Sequence, residues 1–356
     1  MRPREPSPSA LTPPQRAIVL TLLYSDLFDY PLTEEELRRY LPVRCPRPEV
    51  WAAALEALLG HWVSRTDGYF SLAGREPIVE RRRERQSQGS RLWGWATRYA
   101  TWMAWVPFVR MVGVCGSLAA GNAAADADVD MFLVTAPRRL WTVQVWAMTL
   151  RRLASCVGVR VCPNYFLTLD SLEVEPHTLY TAREVAQVVP LRGAETYTRF
   201  RAANPWVYGL LPNVEHDTDR AQAATESRPG ATRGIEWVLA GRVGDWLDRA
   251  LYQMLLPYYR RRRAHEGWRR AHLVRAYRPD RQTVVGGGYG PTVERAFRQR
   301  VTDWFGSAAC VPELDQLFPA VPPSPDPRAV VSESDGDDTP GLYRQLFAER
   351  YGRDHD

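Results

Sequence analysis

The sequence predicts an α+β protein: a small mixed β-sheet core, preceded by a compact helical unit and followed by further helices. Three observations carry that expectation. A Gly-Ser pair at 116–117 is followed, after ten residues, by Asp128-Val129-Asp130 and the apolar run 131–134. Between 108 and 205 apolar stretches of strand length alternate with stretches of helical periodicity. Residues 15–75 hold three helical patterns and then two short β-like runs around Asp67-Gly68.

In chain order, residues 1–14 are polar and proline-rich, without the apolar stretch of a secretory signal, and read as a disordered tail. Ile18, Leu22, Leu23 and Leu27 set a first helix over 15–28. Thr33 and Glu36 form a capping box that opens a second, and 48–62 gives a third. The runs 63–65 and 69–72 form a hairpin, so the domain 15–75 is winged-helix-like. Its third helix would expose Glu49, Ala52, Ala53 and Glu56, with only Arg47 basic near its start. A groove-reading helix brings donors and positive charge, so a packing module is favoured over DNA binding. A connecting helix over 76–107 carries Arg81, Arg82, Arg83, Arg85 and Arg91 interleaved with Glu80 and Glu84, a solvated face. Its Trp93, Trp95, Trp102 and Trp105 form the packing side.

The central domain, 108–205, reads as a strand at 110–115, a turn and short helix to 125, a second strand at 128–135 and a crossover helix at 141–156. Short strands at 160–162 and 165–169 follow, then a helix at 181–188 ended by Pro190. That order fits a mixed sheet with helices on one side. The segment 206–232 reads as a linker, and 233–310 as a helical region with helices at 233–263, 266–277 and 291–305. The glycine cluster 286–290 lacks the context of a P-loop. The tail 311–356, rich in Pro, Ser and Asp, reads as largely disordered.

Composition narrows the chemistry. In 356 residues, 45% of them hydrophobic, two or three domains have enough apolar material for a core. All 46 basic residues are arginine, which excludes lysine as base, Schiff-base former or phosphate ligand. A net charge of +5 is too mild to argue for nucleic acid by itself. The five cysteines, odd in number and without a C-x-x-C pair, favour a reducing compartment over a disulfide framework or zinc knuckle. The greasy stretch 102–114 is short and contains Pro107, Arg110 and Gly113, so a buried segment is favoured over a membrane span. A soluble cytoplasmic protein is expected.

On a strand, residues two apart face the same side, so Asp128 and Asp130 project together while Val129 and Met131 point into packing. Adjacent carboxylates repel unless a divalent cation lies between them. A Gly-Ser turn offers backbone N–H groups to phosphate oxygens. A metal-bound triphosphate satisfies both halves. With Cys115, Gly116, Ser117, Asp128 and Asp130 in these places, the segment resembles the DNA polymerase β-like nucleotidyltransferase superfamily, including the minimal bacterial enzymes.

That resemblance implies a nucleotidyltransferase core that moves a nucleoside monophosphate from an NTP to an acceptor: RNA, a small molecule or a protein. Mg²⁺, or Mn²⁺, would be held by Asp128, Asp130 and a third acid from a neighbouring strand. Asp170, ending the run 165–169, is the first candidate for that acid, with Glu173 and then Glu175 behind it; a turn cap is the alternative role for Asp170. Gly116 and Ser117 would cradle the phosphates. Many relatives carry arginine where this chain has Ala120, and Arg110, Arg138, Arg139 or a C-terminal arginine could substitute. Asp126 falls in the loop and is expected at the surface. Asn164, in the distinctive Cys162-Pro163-Asn164-Tyr165, would touch ribose or base, or satisfy loop backbone as a buried amide. The Arg-x4-His spacing ending at His265 reads as a solvated helix end, and His177 as a turn residue. Two rivals remain: a catalytically degenerate nucleotide-sensing or DNA-binding regulator, and an antitoxin-like module, which predicts exposed apolar surface on the C-terminal helices.

Overall fold

The computed structural model describes residues 11–214, 224, 230–265, 277–283 and 289–306, with the side chains of 230–231, 262–265, 283 and 289 left aside. Positions 266–276 of the helix expected at 266–277, positions 286–288 of the glycine cluster, the Arg-x4-His side chain at 265 and the tail 311–356 lie outside what is described; Tyr277 itself opens a strand.

The chain begins with α1 (Pro13–Asp26), β1 (Leu32–Thr33), α2 (Glu34–Arg39), α3 (Pro48–Leu58), β2 (Val63–Thr66) and β3 (Tyr69–Leu72). The three strands form an antiparallel sheet in the order β1-β3-β2. Helix α1 starts at Pro13, where a missing N–H costs nothing, and Leu11 is already buried, so order reaches into the expected tail. The capping box forms as read: Thr33 Oγ1 accepts from the Glu36 N–H, and Glu36 Oε2 from the Thr33 N–H at 2.9 Å. Helix α3 turns Trp51, Ala54, Leu55 and Leu58 inward and leaves Glu49, Ala52, Ala53 and Glu56 exposed.

The long α4 (Ile78–Met103) matches the expected connecting helix. Its arginines are not all solvated. Arg82 is buried, bonded to both Glu36 oxygens at 2.7 Å and to the Pro31 carbonyl, because the helix lies across the first unit. Among its tryptophans, Trp93, Trp95 and Trp102 pack while Trp105, just beyond the helix, is exposed.

Next come β4 (Val109–Val114), α5 (Gly116–Ala119), β5 (Val129–Thr135), α6 (Leu140–Ser155), β6 (Val161–Thr168), α7 (Leu179–Gln187), β7 (Val189–Arg192), α8 (Ala194–Ala202) and α9 (Trp206–Leu210). Beyond them lie α10 (Gly230–Leu239), α11 (Arg242–His265), β8 (Tyr277–Arg278), β9 (Arg281–Thr283) and α12 (Tyr289–Phe305). The main sheet runs β7-β4-β5-β6-β9-β8 and is mixed: β5 and β6 are parallel, joined through the crossover helix α6, and the other pairs are antiparallel. The two strands expected at 160–162 and 165–169 are one bulged strand, β6. The segment expected as a linker from 206 begins instead as α9, with Val207, Leu210 and Leu211 buried.

Helices cover both faces of the sheet, not one. Every residue of β5 is buried, and its side chains alternate between two cores. Val129, Met131 and Leu133 join α4, α6 and α11; Phe132 and Val134 join α1, α7, α8 and α12. A strand covered on both faces has no polar alternation to show, and each fully buried side chain such as Phe132 contributes about 1.5–3 kcal/mol.

Candidate functional site

The Gly-Ser turn and the Asp pair meet at one end of β4 and β5. The antiparallel register places Val114 opposite Met131, and the Cys115 N–H donates to the Asp130 carbonyl at 3.0 Å. The chain then turns at Gly116 with φ +67°, a conformation that glycine adopts freely. A Cβ at Gly116 would stand 2.5 Å from Asp130 Oδ2. Glycine is thus required twice, for the backbone angle and for contact with the carboxylate. Ser117 follows in α5 and is 8% exposed.

Asp130 lies within β5 and is buried; Asp128 stands one residue ahead of the strand and is about half exposed. Val129 and Met131 point into the α4–α6 core, so Asp130 projects toward the opposite face, where α1 and α7 pack. Asp128, outside the strand, meets Arg160, so of the expected pair Asp130 is the one seen against the Gly-Ser turn. Arg160 sits with Nε 2.8 Å from Asp128 Oδ1 and also bonds the Asp126 carbonyl. Asp126 is exposed, as expected.

The third acid is not where the sequence reading put it. Asp130 is level with Cys162, and Thr135 with Thr168, so Asp170 follows the opposite end of β6. Six residues of strand at about 3.3 Å each separate the two levels by roughly 20 Å. Asp170 is exposed in the turn after β6. Glu173 is exposed and paired with His177, whose ring stacks on Trp206; Glu175 pairs with Arg281. The error came from treating the end of an apolar strand as its active end, although β6 runs parallel to β5 and must be read from its start.

Asn164 occupies the place beside the pair. The β5–β6 register passes from Met131↔Pro163 to Phe132↔Tyr165, which leaves Asn164 as the extra residue of a bulge. A bulge re-aims a side chain, and Pro163, lacking an N–H, is tolerated there. Asn164 is buried and its Nδ2 donates to Asp130 Oδ1, while Cys162 Sγ lies 3.0 Å from Asn164 Oδ1. Asn164 is a buried amide, as one of its two expected roles had it, but the group it satisfies is the Asp130 carboxylate and not loop backbone. A proline inside an apolar strand was the available signal. Among the described residues no group of three or more His, Cys, Asp or Glu side chains is placed to hold a metal ion.

The substitute arginines are elsewhere. Arg110 pairs with Glu236 at 3.0 Å, while Arg138 and Arg139 both reach Asp245, all near the far end of β4 and β5. The arginine brought beside Ser117 is Arg183 of α7, which the sequence reading passed over. It is 4% exposed, with its guanidinium 4.0 Å from the Tyr40 ring centroid and 4.8 Å from that of Tyr24. Burial pushes its pKa down. Arg183, Glu184 and Gln187 form one wall of a cavity of about 50 Å³; Gly116, Ser117 and Ala120 form a second, and Tyr24, Ser25 and Phe28 a third.

The first helical unit is bonded directly to the turn. Tyr30 Oη lies 2.8 Å from the Ala120 carbonyl and 2.7 Å from Glu36 Oε1, and Asn122 Nδ2 donates to the Phe28 carbonyl at 3.0 Å. Burial and then the Glu36 charge raise the Tyr30 pKa far above its usual value, so the phenol stays protonated as a donor. On the other side of the molecule, α10 and α11 expose Trp237, Val238, Val243, Trp246 and Met254. No helix among the described residues is long and apolar enough to cross a membrane. The chain matches no family model, no curated protein and no solved structure.

Proposed function

We propose that the protein is a metal-dependent nucleotidyltransferase, moving a nucleoside monophosphate from an NTP to an acceptor hydroxyl, phosphate or protein side chain and releasing pyrophosphate. The observation that carries this reading is the close approach of the Gly116 turn to the Asp130 carboxylate, with Asp128 two residues earlier in the sequence. The donor set suits Mg²⁺, a hard cation commonly bound by one or two carboxylates together with substrate phosphates. Asp128 and Asp130 would hold it. When bound, such a cation supplies Lewis-acid stabilisation of charge on the phosphoryl oxygens. Asn164 fixes the orientation of Asp130, Gly116 lets the turn approach the carboxylate, and Ser117 offers its hydroxyl to phosphate. Arg160 is the resident counter-ion of Asp128 and must yield to a cation there; both side chains are exposed enough to part at little cost.

The amide at Asn164 favours a second reading, a nucleotide sensor without turnover. An amide beside the Asp pair cannot take a proton from an acceptor hydroxyl. The winged-helix-like first unit would then transmit occupancy, and the acidic exposed face of α3 argues against its reading DNA. The exposed apolar residues of α10 and α11 lend support to an antitoxin-like, protein-binding role, which is compatible with either reading.

The deciding experiment offers each labelled NTP with Mg²⁺ or Mn²⁺ to RNA, small-molecule and protein acceptors. Metal-dependent transfer of label that vanishes in Asp130→Asn supports the transferase. Saturable, metal-dependent NTP binding with no transfer to any acceptor supports the sensor. No NTP binding at all defeats both.

A further inference from the structure

The cavity between α1, the Gly116 turn and α7 is lined by two buried side-chain donors without a hydrogen-bond acceptor, Arg183 Nε and Ser25 Oγ, and by the acid Glu184. Arg183 is 4% exposed, yet its Nε has no hydrogen-bond acceptor, and no ion pair to Arg183 is present among the described residues. The Tyr24 and Tyr40 rings lie against the guanidinium and offset part of its desolvation, but ring faces do not accept its in-plane N–H groups. Ser25, 2% exposed, has a buried Oγ that is also without a partner. Ser117 adds a third side-chain donor to the same walls. A buried guanidinium lacking an acceptor is costly, and unsatisfied buried donors converging on one space call for a ligand.

We propose that this cavity is a binding site for a phosphate group, held by the Arg183 guanidinium and the Ser25 and Ser117 hydroxyls. A planar guanidinium donates to two oxygens of an oxyanion at once, and a buried setting strengthens charge-assisted bonds. About 50 Å³ holds a few waters or one tetrahedral oxyanion. Glu184 on the same wall limits the total charge the site accepts, which suits one phosphate group and not a whole triphosphate. Because Ser25 belongs to α1, an occupant joins the first helical unit to the Gly-Ser turn. The site stands independently of catalysis. It rests on the nucleotide reading only for the source of the phosphate, either the terminal group of an NTP or free inorganic phosphate.

The test is calorimetric titration of the full chain with inorganic phosphate in metal-free buffer, followed by competition with Mg²⁺-ATP. The expected result is saturable phosphate binding, weakened at least about tenfold by Arg183→Met and a few-fold by Ser25→Ala, at roughly tenfold per 1.4 kcal/mol. Displacement of phosphate by Mg²⁺-ATP identifies the terminal phosphate as the occupant; simultaneous binding identifies the free anion. Should Arg183→Met fail to fold by circular dichroism, Ser25→Ala and Arg183→Lys decide. No saturable binding below about 10 mM, or equal affinity in wild type and folded variants, overturns the proposal. Phosphate binding without label transfer defeats the transferase reading alone; label transfer without phosphate binding defeats the cavity alone.

Discussion

The two ends of the central strands treat arginine differently. At the far end, near Thr135 and Thr168, Arg110, Arg139 and Arg281 each meet a carboxylate: Glu236, Asp245 and Glu175. At the mouth, beside Gly116, Arg183 is as deeply buried as Arg139 and meets none among the described residues. A paired, buried arginine is explained by the fold. One without a partner, next to a positive-φ glycine and a buried carboxylate, is what the proposed phosphate site would explain. On this reading the far end is scaffold and the mouth is the proposed site.

The contrast breaks first, and by the largest effect, if catalysis ignores it. Asp128→Asn should lower metal-dependent transfer at least about a thousandfold, about 4 kcal/mol at the transition state. Asp245→Asn, a carboxylate of the far end, should leave turnover within about twofold. Equal losses in a steady-state assay would remove the distinction between the ends.

A glycine pair sharpens it next. Gly116→Ala must hold φ +67° and place a methyl 2.5 Å from Asp130 Oδ2, where Gly60→Ala must hold φ +80° in open space. The left-handed backbone costs roughly 1–2 kcal/mol in each. Overpacking adds about 1–3 kcal/mol at Gly116 alone. Urea unfolding should therefore show Gly116→Ala the more destabilised by at least about 1 kcal/mol; equal midpoints would mean that the turn relaxes freely away from the carboxylate.

Much of this contrast was legible in the sequence, and the rest was hidden for physical reasons. The meeting of the Gly116 turn with Asp130 was legible because its determinants are local: a turn angle, a spacing, a strand period. The capping box at Thr33 and Glu36 was legible for the same reason, and so was the exposed side of α3. Asp170 was misplaced because which end of a strand matters depends on whether its neighbour runs parallel. Asn164 was legible as a buried amide but its partner Asp130 was not, since a bulge is a property of two strands and only its Pro163 shows in one. Arg183 was invisible. It lies mid-helix in an arginine-rich chain, and its isolation is set by Tyr24 and Tyr40, more than 140 positions away.

Paired arginines should reveal themselves by pH as well. Burial pushes the Glu36 pKa up, but the hydrogen bonds and charge of Arg82 outweigh it and hold the carboxyl below its usual 4.5. A depressed carboxylate contributes stability that is present above the unfolded value and lost as pH falls through the folded one. Glu36→Gln leaves Arg82 buried without its anion and should cost about 2–3 kcal/mol at pH 7. The gap between the variant and wild type should narrow as pH drops below 4.5. A gap constant in thermal unfolding from pH 7 to about 3 would show that the pair contributes packing and not charge.

The smallest effect is the most discriminating. Arg139→Met gives up its contacts to Asp245 and the Leu239 carbonyl, while Asp245 keeps water and Arg138, so about 1–2 kcal/mol should be lost. Arg183→Met gives up no hydrogen bond. It forfeits two ring contacts, each worth about 0.5–2 kcal/mol, and is relieved of the desolvation of an unpartnered charge, which costs several kcal/mol. In phosphate-free buffer its melting temperature should equal or exceed that of wild type. With phosphate added, wild type should rise and the variant should not, because only a ligand bound to the folded state shifts the transition. An Arg183→Met loss as large as that of Arg139→Met, unchanged by phosphate, would make Arg183 another piece of scaffold and erase the difference between the two ends.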